Sequence, residues 1–103
     1  MGEKTLLEDL TIESFRPHIG TGFTIRTQEG DEVFTLTAVE AGKPAFEGAR
    51  EGFSLLFRGS SNDLMVHSQM VHFTHPEMGE LSLTISPYNR IATGEFMYEA
   101  IFN

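Results

Sequence analysis

The alternation of apolar and polar residues that decides the fold is clearest at residues 81–86, which read Leu81-Ser82-Leu83-Thr84-Ile85-Ser86. Successive side chains of a β-strand point to opposite faces, so the apolar residues here would share one face and the hydroxyl-bearing residues the other. Such alternation over a short stretch is typical of a strand with one buried face. We therefore predict a strand, with Leu81 and Leu83 in the core.

Five further stretches alternate in the same way and contain most of the nine phenylalanines: residues 23–26, 34–38, 53–58, 71–74 and 96–102. In 34–38, the residues Phe34, Leu36 and Ala38 would share one face, whereas Leu56 breaks the alternation of 53–58. Six short strands in 103 residues predict an all-β fold, a single small antiparallel barrel or sandwich.

The inward positions of these strands are mostly aromatic, and large rings contribute most of the apolar area that a small core can bury. Their alternation assigns them to one face of each strand. The predicted core consists of Phe23, Ile25, Phe34, Leu36, Phe53, Leu55, Phe57, Phe73, Leu81, Leu83, Tyr98, Ala100 and Phe102.

Turn residues give two hairpins an expected register. A two-residue Glu29-Gly30 loop would pair Gln28 with Asp31 and place Phe23 opposite Leu36, so that apolar faces agree.

The second hairpin turns at residues 75–79, where Pro76 suits a type I turn and Gly79 can take a positive φ. A five-residue loop that pairs Thr74 with Glu80 keeps the apolar faces together, with Phe73 opposite Leu81. A four-residue loop would split those faces, so the longer loop is favoured.

The N-terminal residues 1–20 are predicted to be a helical or mixed segment that covers an open end of the barrel. Leu6, Leu7 and Leu10 lie at helical spacing, and Thr11 would cap a short turn that runs through Phe15. Residues 21–103 would then form the barrel or sandwich, and the whole chain, 1–103, would be a single domain.

Charge and composition exclude several classes of protein. Seven basic against 15 acidic residues give a net charge of −8, which argues against nucleic-acid binding and against docking on an anionic membrane. The absence of cysteine excludes disulfides, thiolate nucleophiles and cysteine zinc sites. No apolar run approaches the roughly 20 residues of a membrane span, and no signal peptide is evident. We expect a cytoplasmic protein or a component of an assembled extracellular particle.

Three sequence blocks carry a family resemblance: Phe53-Ser54-Leu55-Leu56-Phe57-Arg58-Gly59, His75-Pro76-Glu77-Met78-Gly79-Glu80-Leu81 and Tyr98-Glu99-Ala100-Ile101-Phe102-Asn103. They resemble a family of small bacterial proteins classified as a domain of unknown function. Residues 10–15 and 22–39 match more loosely, and the loops 63–69 and 87–94 depart from the family pattern. The resemblance implies no established activity. It implies an association with phage-tail-collar-type fibre proteins, and hence a tail-like or fibre-like assembly.

Three histidines, His67, His72 and His75, are the weak candidates for a metal site, with Glu77 nearby. His72 and His75 would point to opposite faces of one strand, which favours a structural histidine that bonds nearby backbone. We therefore expect neither a metal nor a cofactor.

Ser60, Ser61, Asp63 and His67 place hydroxyls, an acid and a base in one loop. No Gly-x-Ser-x-Gly elbow accompanies them, and the chain has no phosphate-binding glycine loop. A polar turn explains these residues better than a nucleophile does, so no enzymatic activity is expected.

Leu56, Met97 and Ile101 share the face opposite the main core. Either the segment 6–15 covers this face or the face is a protein interface, because an apolar strip is rarely left in water. Both interpretations remain open.

Three functions are compatible with these features. The first is a non-enzymatic β-rich interaction or assembly module, with a protein partner or a second copy of itself. The second is an acidic inhibitor or immunity-type protein that masks a basic partner, for which the net charge is the reason. The third is a barrel that binds a small ligand in a cavity lined by Phe23, Phe34, Phe57 and Tyr98.

Overall fold

Six antiparallel strands close into a barrel in the computed structural model, which describes residues 10–27, 30–42, 52–61 and 65–102. The elements are helix α1 (Ile12–Phe15), a 3₁₀ turn (Arg16–His18), β1 (Gly22–Thr27), β2 (Gly30–Ala41), β3 (Phe53–Gly59), β4 (Gln69–His75), β5 (Gly79–Arg90) and β6 (Phe96–Phe102). Around the barrel the order is β1-β2-β3-β6-β5-β4, and β4 returns to β1. The predicted all-β class is confirmed, and of the two architectures the chain adopts the barrel.

The barrel interior is filled by aromatic rings that pack on one another. Phe57 contacts Phe23, Phe34 and Phe73, with ring centroids 5.5, 6.1 and 5.6 Å away, and Tyr98 stacks on Phe34 at 4.4 Å. All five side chains are fully buried. Since β1, β2, β3, β4 and β6 each supply one of these rings, the cluster joins five of the six strands.

The core agrees closely with the sequence prediction. Every predicted core residue is buried except Phe102, which is half-buried. The predicted core omitted several further buried residues, of which most lie outside the predicted strands or are polar, whereas Ile85 shares the face of Leu81 and Leu83. These are Leu10, Phe15, Val66, Ile85, Glu32 and His75.

The predicted register of the first hairpin is wrong by two residues. Phe23 lies opposite Phe34 rather than Leu36, and Thr27 lies opposite Gly30. Gly30, with φ of +128°, is therefore the first residue of β2 and not part of the loop. A shift of two residues leaves every side chain on its predicted face, so the core prediction was unaffected.

Two backbone hydrogen bonds fix this register beyond the start of β1. The Gly20 N–H donates to the Leu36 carbonyl at 2.7 Å, and the Leu36 N–H donates to the Thr21 carbonyl at 3.1 Å. Leu36 is thus engaged by the residues that precede β1 and is not available to pair with Phe23.

The register of the second hairpin is confirmed. Phe73 lies opposite Leu81 and Thr74 opposite Glu80, and one further pair, His75–Gly79, closes the ladder. Gly79 has the positive φ, +77°, that the turn requires.

Two β-bulges interrupt the ladders. One lies between Leu36 and Ala38 of β2, and it pairs Ala38 with the outward Leu56. Ala38 therefore does not share the face of Leu36, contrary to the prediction. The other bulge lies between Pro87 and Asn89 of β5, where the ladder tolerates a residue without an N–H. An extra residue increases the local twist that a closed barrel needs.

The described N-terminal residues, 10–20, include the predicted short helix, which packs at one end of the barrel. Thr11 precedes α1, its N–H donates to Ser14 Oγ at 3.0 Å, and Phe15 enters the barrel. The Phe15 ring lies 5.9 Å from Phe53 and 5.5 Å from Phe102, which pair with each other across β3 and β6. We call this the α1 end. Residues 1–9, including Leu6 and Leu7, lie outside the described residues.

The opposite end of the barrel is closed by Val66, which precedes β4. Val66 is buried, and its N–H donates to the Tyr98 hydroxyl at 2.9 Å. Gly59 leaves room for that ring, because a Cβ at this position would lie 2.9 Å from Tyr98 Cε2. We call this the Val66 end.

Replacing Phe57 tests the aromatic core. Phe57→Ala is expected to lower the free energy of unfolding by about 3–5 kcal/mol, because it leaves a cavity among three buried rings. Chemical denaturation of the purified variants measures the loss. Phe96→Ala is the control, because Phe96 is half-buried and its ring lies under the Arg90 guanidinium. Equal losses in the two variants would contradict the described packing.

Candidate functional site

The residues predicted to form an interface lie together on the outside of the barrel. Leu56 of β3 lies opposite Glu99 of β6, and Met97 of β6 lies opposite Arg58 of β3. Leu56 and Met97 are half-buried, whereas Ile101 is 62% exposed. Leu56, Met97 and Ile101 are called the β3–β6 face below.

Neighbouring strands widen this face. Ala38 of β2 pairs with Leu56, and Tyr88 of β5 is 49% exposed at the bulge beside β6. Burial raises the pKa of the Tyr88 phenol, and the carboxylates of Glu99 and Glu40 raise it further. Glu99 lies on this face opposite Leu56, so the face combines apolar side chains with negative charge.

The described part of the segment 6–15 is directed into the barrel. Leu10 and Phe15 are both buried in the core, and Ile12 packs against it. Ile101 keeps its large exposure in the presence of this segment. Residues 6–9 lie outside the described residues, so the hypothesis that they cover the β3–β6 face stays a prediction.

The three candidate metal-binding histidines are not brought together. His72 lies on the outside of β4, with Nε2 3.6 Å from Glu80 Oε1. His75 is buried at the α1 end, and His67 is exposed before β4. Within residues 10–27, 30–42, 52–61 and 65–102, no group of three or more His, Asp or Glu side chains is arranged to hold a metal ion.

His75 is a structural histidine, as its position suggested. Its Nδ1 accepts hydrogen bonds from the backbone N–H groups of Glu77 and Met78, both at 3.1 Å. Because Nδ1 accepts, the neutral ring carries its proton on Nε2, which donates to Thr21 Oγ1 at 2.9 Å. Thr21 Oγ1 donates in turn to the His18 carbonyl at 2.6 Å. The ring thus joins the β4–β5 turn to the residues that precede β1.

Sequence reasoning assigned no role to His18, which the structure places beside His75. The ring centroids are 4.8 Å apart, and His18 Nδ1 lies 3.7 Å from Glu77 Oε2. Burial lowers the pKa of His75, and His18 lowers it further, while Glu77 acts in the opposite direction. Since His18 and His75 are far apart in the chain, no local pattern could have linked them.

Ser60 and Ser61, which follow β3, form hydrogen bonds to residues of β2. Ser60 Oγ accepts the Val33 N–H at 3.0 Å, and the Ser61 N–H donates to Glu32 Oε1 at 2.9 Å. His67 is exposed, and Asp63 lies outside the described residues. The two serines therefore hold the end of β3 against β2.

Glu32 is a buried carboxylate that sequence reasoning missed. It is only 4% exposed, lies opposite the inward Ile25, and approaches Tyr98 at the Val66 end. Burial raises the pKa of Tyr98, the Val66 N–H lowers it, and Glu32 raises it. Glu32, Phe34 and Leu36 are spaced two residues apart, so they lie on the same face of β2. This spacing in the sequence could have identified Glu32 as buried.

These features define a small closed antiparallel barrel with a filled aromatic interior, covered at both ends. A family model described as a domain of unknown function (DUF6916) matches residues 10–102, and the chain belongs to this family. The coarse part of the sequence resemblance, a family of unknown function, is thereby confirmed. No curated protein and no solved structure matches the chain significantly. In the described part of the chain, no helix has the length and apolar character needed to cross a membrane.

The stability of the barrel is expected to depend on pH through His75. Its pKa is lower in the folded protein than in the unfolded chain, where a histidine titrates near pH 6.5. The unfolded chain therefore takes up the proton first as the pH falls. The stability that neutral His75 provides is complete above about pH 7 and is lost as the pH drops through 6.5 toward the folded pKa.

A comparison of two asparagine variants isolates this contribution. In His75→Asn, the amide oxygen can still accept the turn N–H groups, but the side chain does not titrate. Urea denaturation between pH 5 and 8 should show that the stability advantage of the parent over His75→Asn shrinks toward acid. His72→Asn, on the outside of the same strand, should keep the parent's slope. Parallel pH profiles for the parent and His75→Asn would refute the assignment.

Proposed function

We propose that the protein is a non-enzymatic interaction module that assembles with itself through the β3–β6 face. The observation that carries this proposal is Ile101, which is 62% exposed near the end of β6 and lies on the same outer face as Leu56 and Met97. Full burial of an isoleucine side chain is worth about 1.5–3 kcal/mol, so leaving it in water has a definite cost.

The composition of the surrounding surface supports the proposal. Tyr88 adds an exposed amphipathic ring, and tyrosine is enriched at protein interfaces. Ala38, which has a small side chain, lies opposite Leu56. Glu99 lies between Met97 and Ile101 on β6 and carries the charge that limits indiscriminate pairing.

The aromatic interior favours an interaction module over a ligand-binding barrel. The four side chains that would line a cavity, Phe23, Phe34, Phe57 and Tyr98, are fully buried and pack ring against ring. A small-molecule site needs a concave space between such side chains. This packing supports a binding surface on the outside of the barrel as part of the proposal.

A structural or accessory component of a phage-tail-like or fibre-like assembly is the finer form of this proposal. It is supported by the resemblance carried by the blocks 53–59, 75–81 and 98–103. An assembly built from many copies of one chain requires each copy to have a binding face on its outer surface. The β3–β6 face lies on the outer surface of this barrel.

The acidic inhibitor is the second candidate, and the charge favours it. The net charge is −8, and the Glu99 and Glu40 carboxylates both act on Tyr88 beside the β3–β6 face. Charge complementarity of this kind would steer a basic partner to the same surface. In that case purified protein stays monomeric, and its complex weakens with added salt.

Lysine substitutions on the β3–β6 face test self-assembly. Ile101→Lys, and Met97→Lys combined with Ile101→Lys, should remain folded but lose association, because a charged side chain would be buried in the contact. Light scattering coupled to size exclusion, at increasing concentration, measures the molar mass against the monomer value of 11.5 kDa. Circular dichroism establishes folding.

Ile19→Lys is the matched control, since Ile19 is also an exposed isoleucine but lies outside this face. Each lysine reduces the net negative charge, which by itself favours association. Loss of association in Ile101→Lys and not in Ile19→Lys therefore reports a local contact. If Ile101→Lys associates like the parent, the proposed face is wrong.

A further inference from the structure

Four outward side chains of β3 and β6 form a square on the outside of the barrel, and two of them belong to the β3–β6 face. Leu56 lies opposite Glu99, and the next outward pair along the strands is Arg58 opposite Met97. The two apolar side chains therefore occupy one diagonal of the square, and the two charged side chains occupy the other. Diagonal neighbours on antiparallel strands lie about 7–8 Å apart. These four residues are called the quartet below.

The charged diagonal of the quartet is not satisfied within the chain. Arg58 is exposed and Glu99 is half-buried. Among the residues that the structure describes, neither side chain forms a hydrogen bond or an ion pair. The pKa of Glu95 is lowered chiefly by its hydrogen bond from Thr93, and Arg58 is the weakest influence on it. Arg58 is therefore not committed to Glu95 either.

We infer that two copies of this chain pack face to face through the quartet, with Arg58 of each copy paired to Glu99 of the other. The inference rests on the proposed self-assembly and names the contacts that make it specific. A two-fold axis that lies in the interface along the apolar diagonal exchanges the two ends of the charged diagonal. Leu56 and Met97 then each meet the same residue of the second copy. Two reciprocal ion pairs flank this apolar contact.

The same axis gives Ile101 a place at the rim of the contact. Ile101 is the next outward residue of β6 after Glu99, so the axis carries it past Arg58 of the second copy toward β2. Thr35 of β2 lies opposite Arg58 there. The strands of the two copies cross at a steep angle in this arrangement, as they do in orthogonal sheet packing.

The signs of the charges favour a second copy over a basic partner. Arg58 is the only basic residue of β2, β3 and β6, three strands that lie within the described residues. A basic partner at the quartet would place its own positive charge beside Arg58, and like charges in a contact are costly. A second copy instead brings a carboxylate to each guanidinium. The quartet is thus complementary to itself, as a two-fold contact requires.

Charge reversal tests the reciprocal pairs. Arg58→Glu and Glu99→Arg should each weaken association about tenfold or more, because each variant places like charges opposite one another twice in the dimer. An equimolar mixture of the two variants should recover the affinity of the parent, since every charged contact then joins opposite signs. Light scattering coupled to size exclusion, at increasing concentration, measures association, and circular dichroism establishes folding.

Two variants with the same changes of charge elsewhere on the surface are the controls. Arg26 of β1 and Glu80 of β5 are exposed and lie outside the quartet. Arg26→Glu and Glu80→Arg should therefore associate like the parent.

The mixture separates reciprocal pairing from two other effects. The substitutions at Arg58 and Glu99 change the net charge by two units in opposite directions, so recovery in the mixture does not come from weaker overall repulsion. An ion pair within one chain would be lost in both variants, and mixing would not restore it. The double variant, with both substitutions in one chain, should associate with itself but not with the parent.

Failure of the pairing is distinguishable from failure of the proposed function. If Ile101→Lys loses association while both charge reversals associate like the parent, the pairing is wrong and the β3–β6 face stands. The same holds if both reversals lose association and their mixture recovers none of it. A parent that stays monomeric at every concentration overturns both the pairing and the proposed self-assembly.

Discussion

The packing of Phe57 against Phe23, Phe34 and Phe73 is the interaction on which the rest of the barrel depends. A six-stranded barrel is too narrow for helices or water inside, so its strands hold together through the side chains that fill it. The rings come from four strands, and Tyr98 extends the cluster to a fifth through Phe34. Because this packing fills the interior, we propose that the protein binds its partner on the outer surface of the barrel.

Alternation predicted which face of each strand is buried, but it could not fix the pairing. A slip of two residues preserves every face, so Phe23 opposite Leu36 and Phe23 opposite Phe34 were equally consistent with the pattern. The bulge that turns Ala38 outward is likewise a local insertion without a periodic signal. The Glu29-Gly30 turn signal misled because Gly30, with its positive φ, serves the strand instead of the loop.

The candidate sites also include features that strand alternation could predict and features that it could not. Leu56, Met97 and Ile101 were placed together from sequence alone, because strand parity decides which side chains share an outer face. The contact between His18 and His75 could not be foreseen, since it depends on how the N-terminal residues fold over the end of the barrel. The small number of residue pairs between β1 and β4 was also hidden, because alternation says nothing about how many pairs two neighbouring strands share.

The single pair between Thr24 and Thr74 has a consequence for how the chain folds. The β1–β2 and β4–β5 hairpins join residues close in sequence, so they can form early, whereas contacts between distant residues form slowly. The contact between β1 and β4 joins residues fifty positions apart, and Thr24–Thr74 is the one residue pair that the described residues of these strands share. Closure there is the expected last step of folding. For the same reason we expect the native barrel to open first between β1 and β4, with both hairpins intact, as a local unfolding unit.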